Sequence, residues 1–242
     1  MKDQLKTLIK ALRPVKTKYP LIRVGGNNDG GYLIPDDLRG VKACFSPGVD
    51  VTASFEKDLL DRGIISHLAD ASVDAPPDGL KVMSFEKKFL GPFTDGDYMS
   101  LEYWVKAKEL SPWPTGDLIL QMDIEGAEYQ TILATSSEIL RRFRIIAVEV
   151  HNAQHWFNPL AWDTMQTFFG KLLADFYIVH MHPNNNCLFL QYDDVFFPTV
   201  FELTLLRKDR AEPKGFAELP NPLDQPNVLD KPDRGIPEEW YK

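Results

Sequence analysis

Cysteine is scarce in this chain of 242 residues: there are only Cys44 and Cys187. Two distant cysteines form neither a zinc motif nor a disulfide framework. Both sit among apolar neighbours, as buried free thiols of a reducing compartment do. Long hydrophobic runs are missing as well, since no segment has the ~20 apolar residues that a bilayer-spanning helix needs. At the N-terminus Leu5, Leu8, Ile9 and Leu12 alternate with lysines and stop at Pro14. That is the pattern of an amphipathic helix, without the continuous apolar core of a signal peptide. A cytoplasmic protein with no integral membrane segment is expected. Positive charge is also short: Lys and Arg number 27 against 35 Asp and Glu, a formal net charge of -8. No general basic surface is left for nucleic acid. The dinucleotide fingerprint GxGxxG is absent, and no internal repeat is found.

What is present suits one sizeable core, with 44% hydrophobic residues. Apolar runs at 41–46, 64–69, 80–85, 117–123, 144–150, 176–181 and 200–206 read as strands, with a further short one at 32–34. A helix spans 54–62. Another carries Leu101, Trp104, Val105 and Lys108, capped by Ser100 and stopped by Pro112. A third follows Gly126, with Ile132, Leu133, Ser136, Ile139 and Leu140 inward. A fourth opens at Asn158-Pro159 and buries Met165, Phe168, Phe169, Leu172 and Leu173. Strands alternating with helices indicate an α/β fold with a mostly parallel sheet covered on both faces. The last two strands have no helix between them, so they are expected to be antiparallel. Residues 1–20 form an N-terminal helical segment, 21–210 the main domain, and 211–242 a proline-rich tail, either wrapped on the domain or partly disordered. Trp104, Trp113, Trp156, Trp162 and Phe157 read as core, and Trp156 and Phe157 are also placed to line an acceptor pocket.

The strand at 117–123 ends in three acids around Gly126: Asp123, Glu125 and Glu128. Open α/β sheets build ligand sites by delivering such groups to the C-terminal edge. Asp123 is the acid expected at the active centre. Glu125 and Glu128 fall at the start of the next helix, where the helix dipole accounts for them. In the turn 45–50, Gly48 lets the backbone approach a ligand, with Asp50 beside it. Asp70 ends the second strand, where a carboxylate can accept from both ribose hydroxyls. His151, after Glu149, can take a proton from a hydroxyl nucleophile. His180 and His182 share a strand face. A metal could take ligands from Asp123, Glu149, His151 and His182. Asn184, Asn185 and Asn186 could instead bond a polyhydroxylated substrate.

These segments resemble, in order, the FkbM-type S-adenosylmethionine-dependent methyltransferases. Residues 122–128 (Met-Asp-Ile-Glu-Gly-Ala-Glu) are similar to the family's signature box, with Gln121 where Lys is usual. Residues 45–50 resemble its glycine turn, 100–104 its first long helix, 147–151 its Glu-Val-His strand, and Asp70 its ribose acid. Residues 23–32, 180–185 and 201–204 resemble segments of one subgroup. The resemblance spans roughly 20–208 and implies a Rossmann-like seven-stranded methyltransferase sheet of order 3-2-1-4-5-7-6, its last strand antiparallel. It implies S-adenosylmethionine as cofactor, held by Gly48, Asp50 and Asp70, with the stretch near Phe85 facing adenine, and Asp123 is expected to orient the cofactor's amino end or the acceptor. The expected activity is O-methylation of a sugar, glycan, glycolipid or natural-product hydroxyl, with His151 as first candidate base and His182 as second. The turn departs from the family's D-x-G-A-x-x-G by reading Ser-Pro-Gly-Val-Asp. A non-catalytic nucleoside- or glycan-binding protein and a metal-dependent hydrolase are the alternatives. An oligomer is compatible with the sequence.

Overall fold

The computed structural model describes residues 2–50, 52–77, 80–82, 84–109 and 116–241. Helix α1 (Lys2–Ala11) buries the stripe Leu5, Leu8 and Ile9. Strands β1 (Leu21–Val24) and β2 (Tyr32–Pro35) form an antiparallel hairpin. There follow β3 (Ala43–Pro47), α2 (Ser54–Asp61), β4 (Ile65–Ala69) and β5 (Ser84–Glu86). A small pair, β6 (Phe89–Gly91) and β7 (Tyr98–Ser100), leads into α3 (Leu101–Glu109). Next come β8 (Leu118–Met122), α4 (Glu128–Ala134), α5 (Ser137–Leu140) and β9 (Phe143–Val150). A 3-10 turn precedes α6 (Pro159–Asp175) and β10 (Phe176–Pro183). The hairpin β11 (Phe189–Tyr192) and β12 (Val195–Pro198) then gives way to β13 (Phe201–Arg207).

Seven strands form one sheet in the order β10-β13-β9-β8-β3-β4-β5. Neighbours from β9 to β5 are parallel, and β13 runs antiparallel to both β9 and β10. Three two-stranded pairs lie outside this sheet, so the whole-chain strand numbers differ from the seven-strand numbering expected from sequence. Counted among the sheet's own members in chain order, β3, β4, β5, β8, β9, β10 and β13 lie as 3-2-1-4-5-7-6.

The central strands explain their own sequences. β8 and β9 are buried at every position, which is why they read as continuous apolar runs. Period-two alternation then divides the core. Phe45, Leu120 and Ile146 face one cluster with α1, α3 and α6, while Cys44, Ile119 and Ile145 face the other, under α2 and the β1–β2 hairpin.

Several local expectations are corrected. The helix after Gly126 is two helices, because Ser136 caps α5, its Oγ accepting from the Ile139 N–H, and does not face inward. The third sheet strand lies at Ser84–Glu86, later than the expected 80–85. Met83, Pro112 and Trp113 lie outside the described residues. Cys44 is buried, but Cys187 is only half-buried, since it sits in the turn before β11. The tail lies on the domain. Phe216 bridges to Val15, and Trp240 is buried against Trp156 and Phe201 and donates its Nε1–H to the Phe196 carbonyl at 2.8 Å. No helix among the described residues is long and apolar enough to cross a membrane.

Candidate functional site

From β3 the sheet grows to β4 on one side and β8 on the other. Beyond the C-terminal ends of these strands, at that switch point, lies a cleft of about 460 Å³, where ligands of open α/β sheets bind. Gly48 shapes its floor. Its φ is +82°, and a Cβ there would sit 1.6 Å from the Asp123 carbonyl oxygen. Asp70 ties the turn to the end of β4. Its Oδ2 accepts from the Asp50 N–H at 2.9 Å, and its Oδ1 accepts from the Ser72 N–H and Oγ–H at 2.8 and 2.6 Å. Gly48, Asp50, Asp70 and Asp123 all line this cleft. Phe85 does not. The chain leaves the sheet after Glu86, and Phe89, Leu90 and Tyr98 form that rim instead.

Beside the cleft, His151 is surrounded by carboxylates. Glu128, fully buried, accepts from the Ile124 and Gly126 N–H groups, both at 3.1 Å, and faces His151 Nδ1 at 3.1 Å. The other ring nitrogen, Nε2, is 3.3 Å from Glu149, 3.6 Å from Glu125 and 3.8 Å from Asp123. This corrects the reading of Glu125 and Glu128 as dipole partners of a helix start. Glu128 does open α4, but its carboxylate closes the turn and orients His151. Glu125 lies before the helix at φ +55°, and its side chain is 88% exposed. The signal for Glu128 was its spacing: an acid at the first helical position can fold back onto the turn's N–H groups.

The electrostatics follow from this crowding. Burial, then the Glu149 charge, raises the Asp123 carboxyl well above its usual range, and burial raises Glu149. Burial alone would lower His151, but the Glu128 hydrogen bond and the charges of Glu128, Glu149 and Asp123 outweigh it and raise the imidazole. The group therefore titrates as a unit.

His182 stands apart from this centre. Across the sheet Glu149 pairs with Glu202, and Glu202 with His182. The inserted β13 thus puts two strand spacings, roughly 10 Å, between β9 and β10. Burial lowers the His182 pKa, and its Nε2 faces Asp233 of the tail at 3.1 Å. His180 faces Asp224 at 2.8 Å. The two histidines hold the tail, so His182 is removed as alternative base and as metal ligand. The asparagines are committed too. Asn184 donates to Glu149 at 2.9 Å, Asn185 bonds backbone groups of Val228 and Lys231, and Asn186 contacts Lys231. Trp156 is core, donating its Nε1–H to Tyr129, whose hydroxyl donates to the His151 carbonyl. Its edge reaches a second hollow of about 240 Å³ beside Asn152 and Met165. Phe157 stacks on Tyr192 instead.

Glu202, unnoticed in the sequence, is buried and accepts from Asn227 Nδ2 at 2.8 Å. Burial pushes its pKa up to about 8. A carboxyl with a raised folded-state pKa contributes stability at low pH that is lost as pH rises through the folded value. Urea unfolding should show the protein losing about 2–4 kcal/mol from this group between about pH 5 and about pH 9. Glu202→Gln should flatten that slope, and an unchanged slope would contradict the assignment.

Asp123, Glu125 and His151 bring ligand atoms within 4.8 Å of one another. A carboxylate–imidazole set with Glu149 adjacent suits a divalent cation. The fit is supported by Asp123 Oδ1, which is buried without a hydrogen-bond partner.

No protein-family model matches the chain, and no curated protein matches it in sequence. Among solved structures, one titled "Putative hemolysin from Streptococcus thermophilus" is 10% identical, covering 93% of this chain and 88% of that one at a TM-score of 0.36. A likeness that distant carries no functional argument.

Proposed function

We propose that the protein is an S-adenosylmethionine-dependent O-methyltransferase of the FkbM type, acting on a hydroxyl of a sugar, glycan, glycolipid or natural product. One observation carries the reading. The Gly48 turn, Asp70 and Asp123 line a single cleft at the switch point of the sheet, with His151 beside Asp123. The strand order, counted within the sheet, supports the methyltransferase fold. Bound there, the cofactor supplies an electrophilic methyl on a sulfonium. The protein's part is to align an acceptor oxygen and remove its proton. Asp70 holds the ribose, and Asp123 faces the methionine end. Glu128 keeps the proton of His151 on Nδ1, leaving Nε2 to take the acceptor's proton as the methyl transfers. The raised imidazole pKa means that this base works best at alkaline pH, or when a cation in the cleft lowers it. A divalent ion held by Asp123, Glu125 and His151 is a second reading of the same centre, in which the metal would acidify the acceptor hydroxyl.

Calorimetric titration with S-adenosylmethionine tests the cofactor. Binding is expected, and Asp70→Asn should weaken it by about 10–100-fold, the worth of a charge-assisted hydrogen bond. No binding by the wild-type protein would overturn the proposal.

A further inference from the structure

Under the Gly48 turn lies a buried polar triad that the mechanism above does not use. Ser46 Oγ contacts the Glu56 carboxyl and is 2.6 Å from Gln121 Oε1. The three residues come from β3, α2 and β8 and are 0%, 3% and 5% exposed, yet Glu56 and Gln121 border the cleft. Ser46 shares a strand face with Gly48, and Gln121 with Asp123. The triad therefore sits one rung below the place where Gly48 and Asp123 meet at the floor of the cleft.

Glu56 has an unusual set of neighbours. The ion pairs found among the described residues include none to it, and its carboxyl is hydrogen-bonded to Ser46. The cleft's lysine, Lys88, is turned to the Gly96 carbonyl. A hydroxyl carries one proton and can satisfy only one acceptor, so Ser46 does not compensate a carboxylate as a cation would. A carboxylate buried without a counter-charge is costly unless it takes up a proton or something positive arrives, and burial holds this one above the usual carboxylate range. The rest of the cleft is acidic, through Asp29, Asp50, Asp70, Asp123 and Glu125.

We propose that Glu56, steered by Ser46 and Gln121, is the counter-charge for the cationic end of the bound cofactor in the cleft that Gly48, Glu56, Gln121 and Asp123 line. This rests on the cofactor assignment above. The cofactor has two positive centres, the sulfonium and the α-ammonium, and three ligands separate them. S-adenosylmethionine carries both, S-adenosylhomocysteine carries only the ammonium, and 5′-methylthioadenosine carries neither.

Titrating the wild type and Glu56→Gln with all three tests the proposal. Glu56→Gln should bind S-adenosylmethionine at least tenfold more weakly while leaving methylthioadenosine unchanged. Loss confined to S-adenosylmethionine assigns Glu56 to the sulfonium; an equal loss with the homocysteine compound assigns it to the ammonium. Unchanged affinity for all three, or an equal loss for all three, overturns the proposal, since a merely structural defect would weaken the neutral nucleoside as much. If the wild type binds none of the three, the cofactor assignment itself has failed. Should Glu56→Gln not fold, Ser46→Ala is read in the same titrations and should give the same pattern at smaller amplitude.

Discussion

Replacing His151 by alanine is expected to lower methyl-transfer turnover by about 10²–10⁴-fold, the usual contribution of a positioned base, with cofactor affinity nearly unchanged. The residue has one ring nitrogen fixed by a fully buried Glu128 and the other turned toward Asp123, Glu125 and Glu149. An imidazole so held has little freedom to reorient, so its loss should appear in kcat and not in cofactor binding. The pH dependence gives a second readout. The base must be neutral to accept a proton, and its carboxylate neighbours raise its pKa above the 6.5 of an ordinary histidine. The rising limb of the wild-type rate should therefore lie on the alkaline side of an ordinary histidine, and His151→Ala should abolish it. Production of S-adenosylhomocysteine, followed across pH with a candidate glycan acceptor, measures both. Full turnover by the variant, with the limb in place, would exclude His151 as the base.

Gly48→Ala should be the most disruptive single methyl in the cleft. The alanine Cβ would overlap the Asp123 carbonyl oxygen at 1.6 Å and its carbon at 2.8 Å. Both atoms are backbone, so no side chain can swing aside. The φ of +82° adds about 1–2 kcal/mol of its own for an L-residue. To relieve the overlap, the β3 turn must lift away from the end of β8, which opens the crevice. A loss of about 3–5 kcal/mol in unfolding free energy is expected, together with loss of cofactor binding. Chemical denaturation and calorimetry on the same preparation check the two effects. A variant of wild-type stability and affinity would mean that the turn takes another path over β8.

The contrast between these two sites shows what a sequence can disclose. The places of His151, Gly48, Asp70 and Asp123 at strand ends were legible, because a strand buried on both faces is an unbroken apolar run with a conspicuous end. The lateral arrangement was harder to use. His182 ends a strand as plainly as His151 does, but β13 separates β10 from β9, so the two histidines do not meet. Phe85 failed for a shorter-range reason: β5 is only three residues long, and the rim of the cleft falls on the chain after it. Glu56 was missed, and Glu128 was read only as a helix-dipole acid, because the place of each depends on burial. A glutamate on a helix usually faces water, and nothing in its neighbours along the chain reveals that its carboxyl is enclosed. The β11–β12 hairpin has no Asn-Gly or Asp-Gly turn to announce it. Its turn is made by Asp193 at φ +56° with Asp194.

The position of β13 also bears on the order in which the chain is made. β13 is the pairing partner of β10 and of the outer edge of β9. During synthesis, residues 143–183 leave the ribosome well before residues 201–207. For that interval β9 has one bare edge and β10, whose partner in the sheet is β13, has no ladder at all, a template for pairing with other chains. This half of the sheet can close only once β13 has been made, because β13 lies between β9 and β10. A nascent chain stalled before residue 201 would lack that strand, while the strands β3, β4 and β8 that border the cleft were already made.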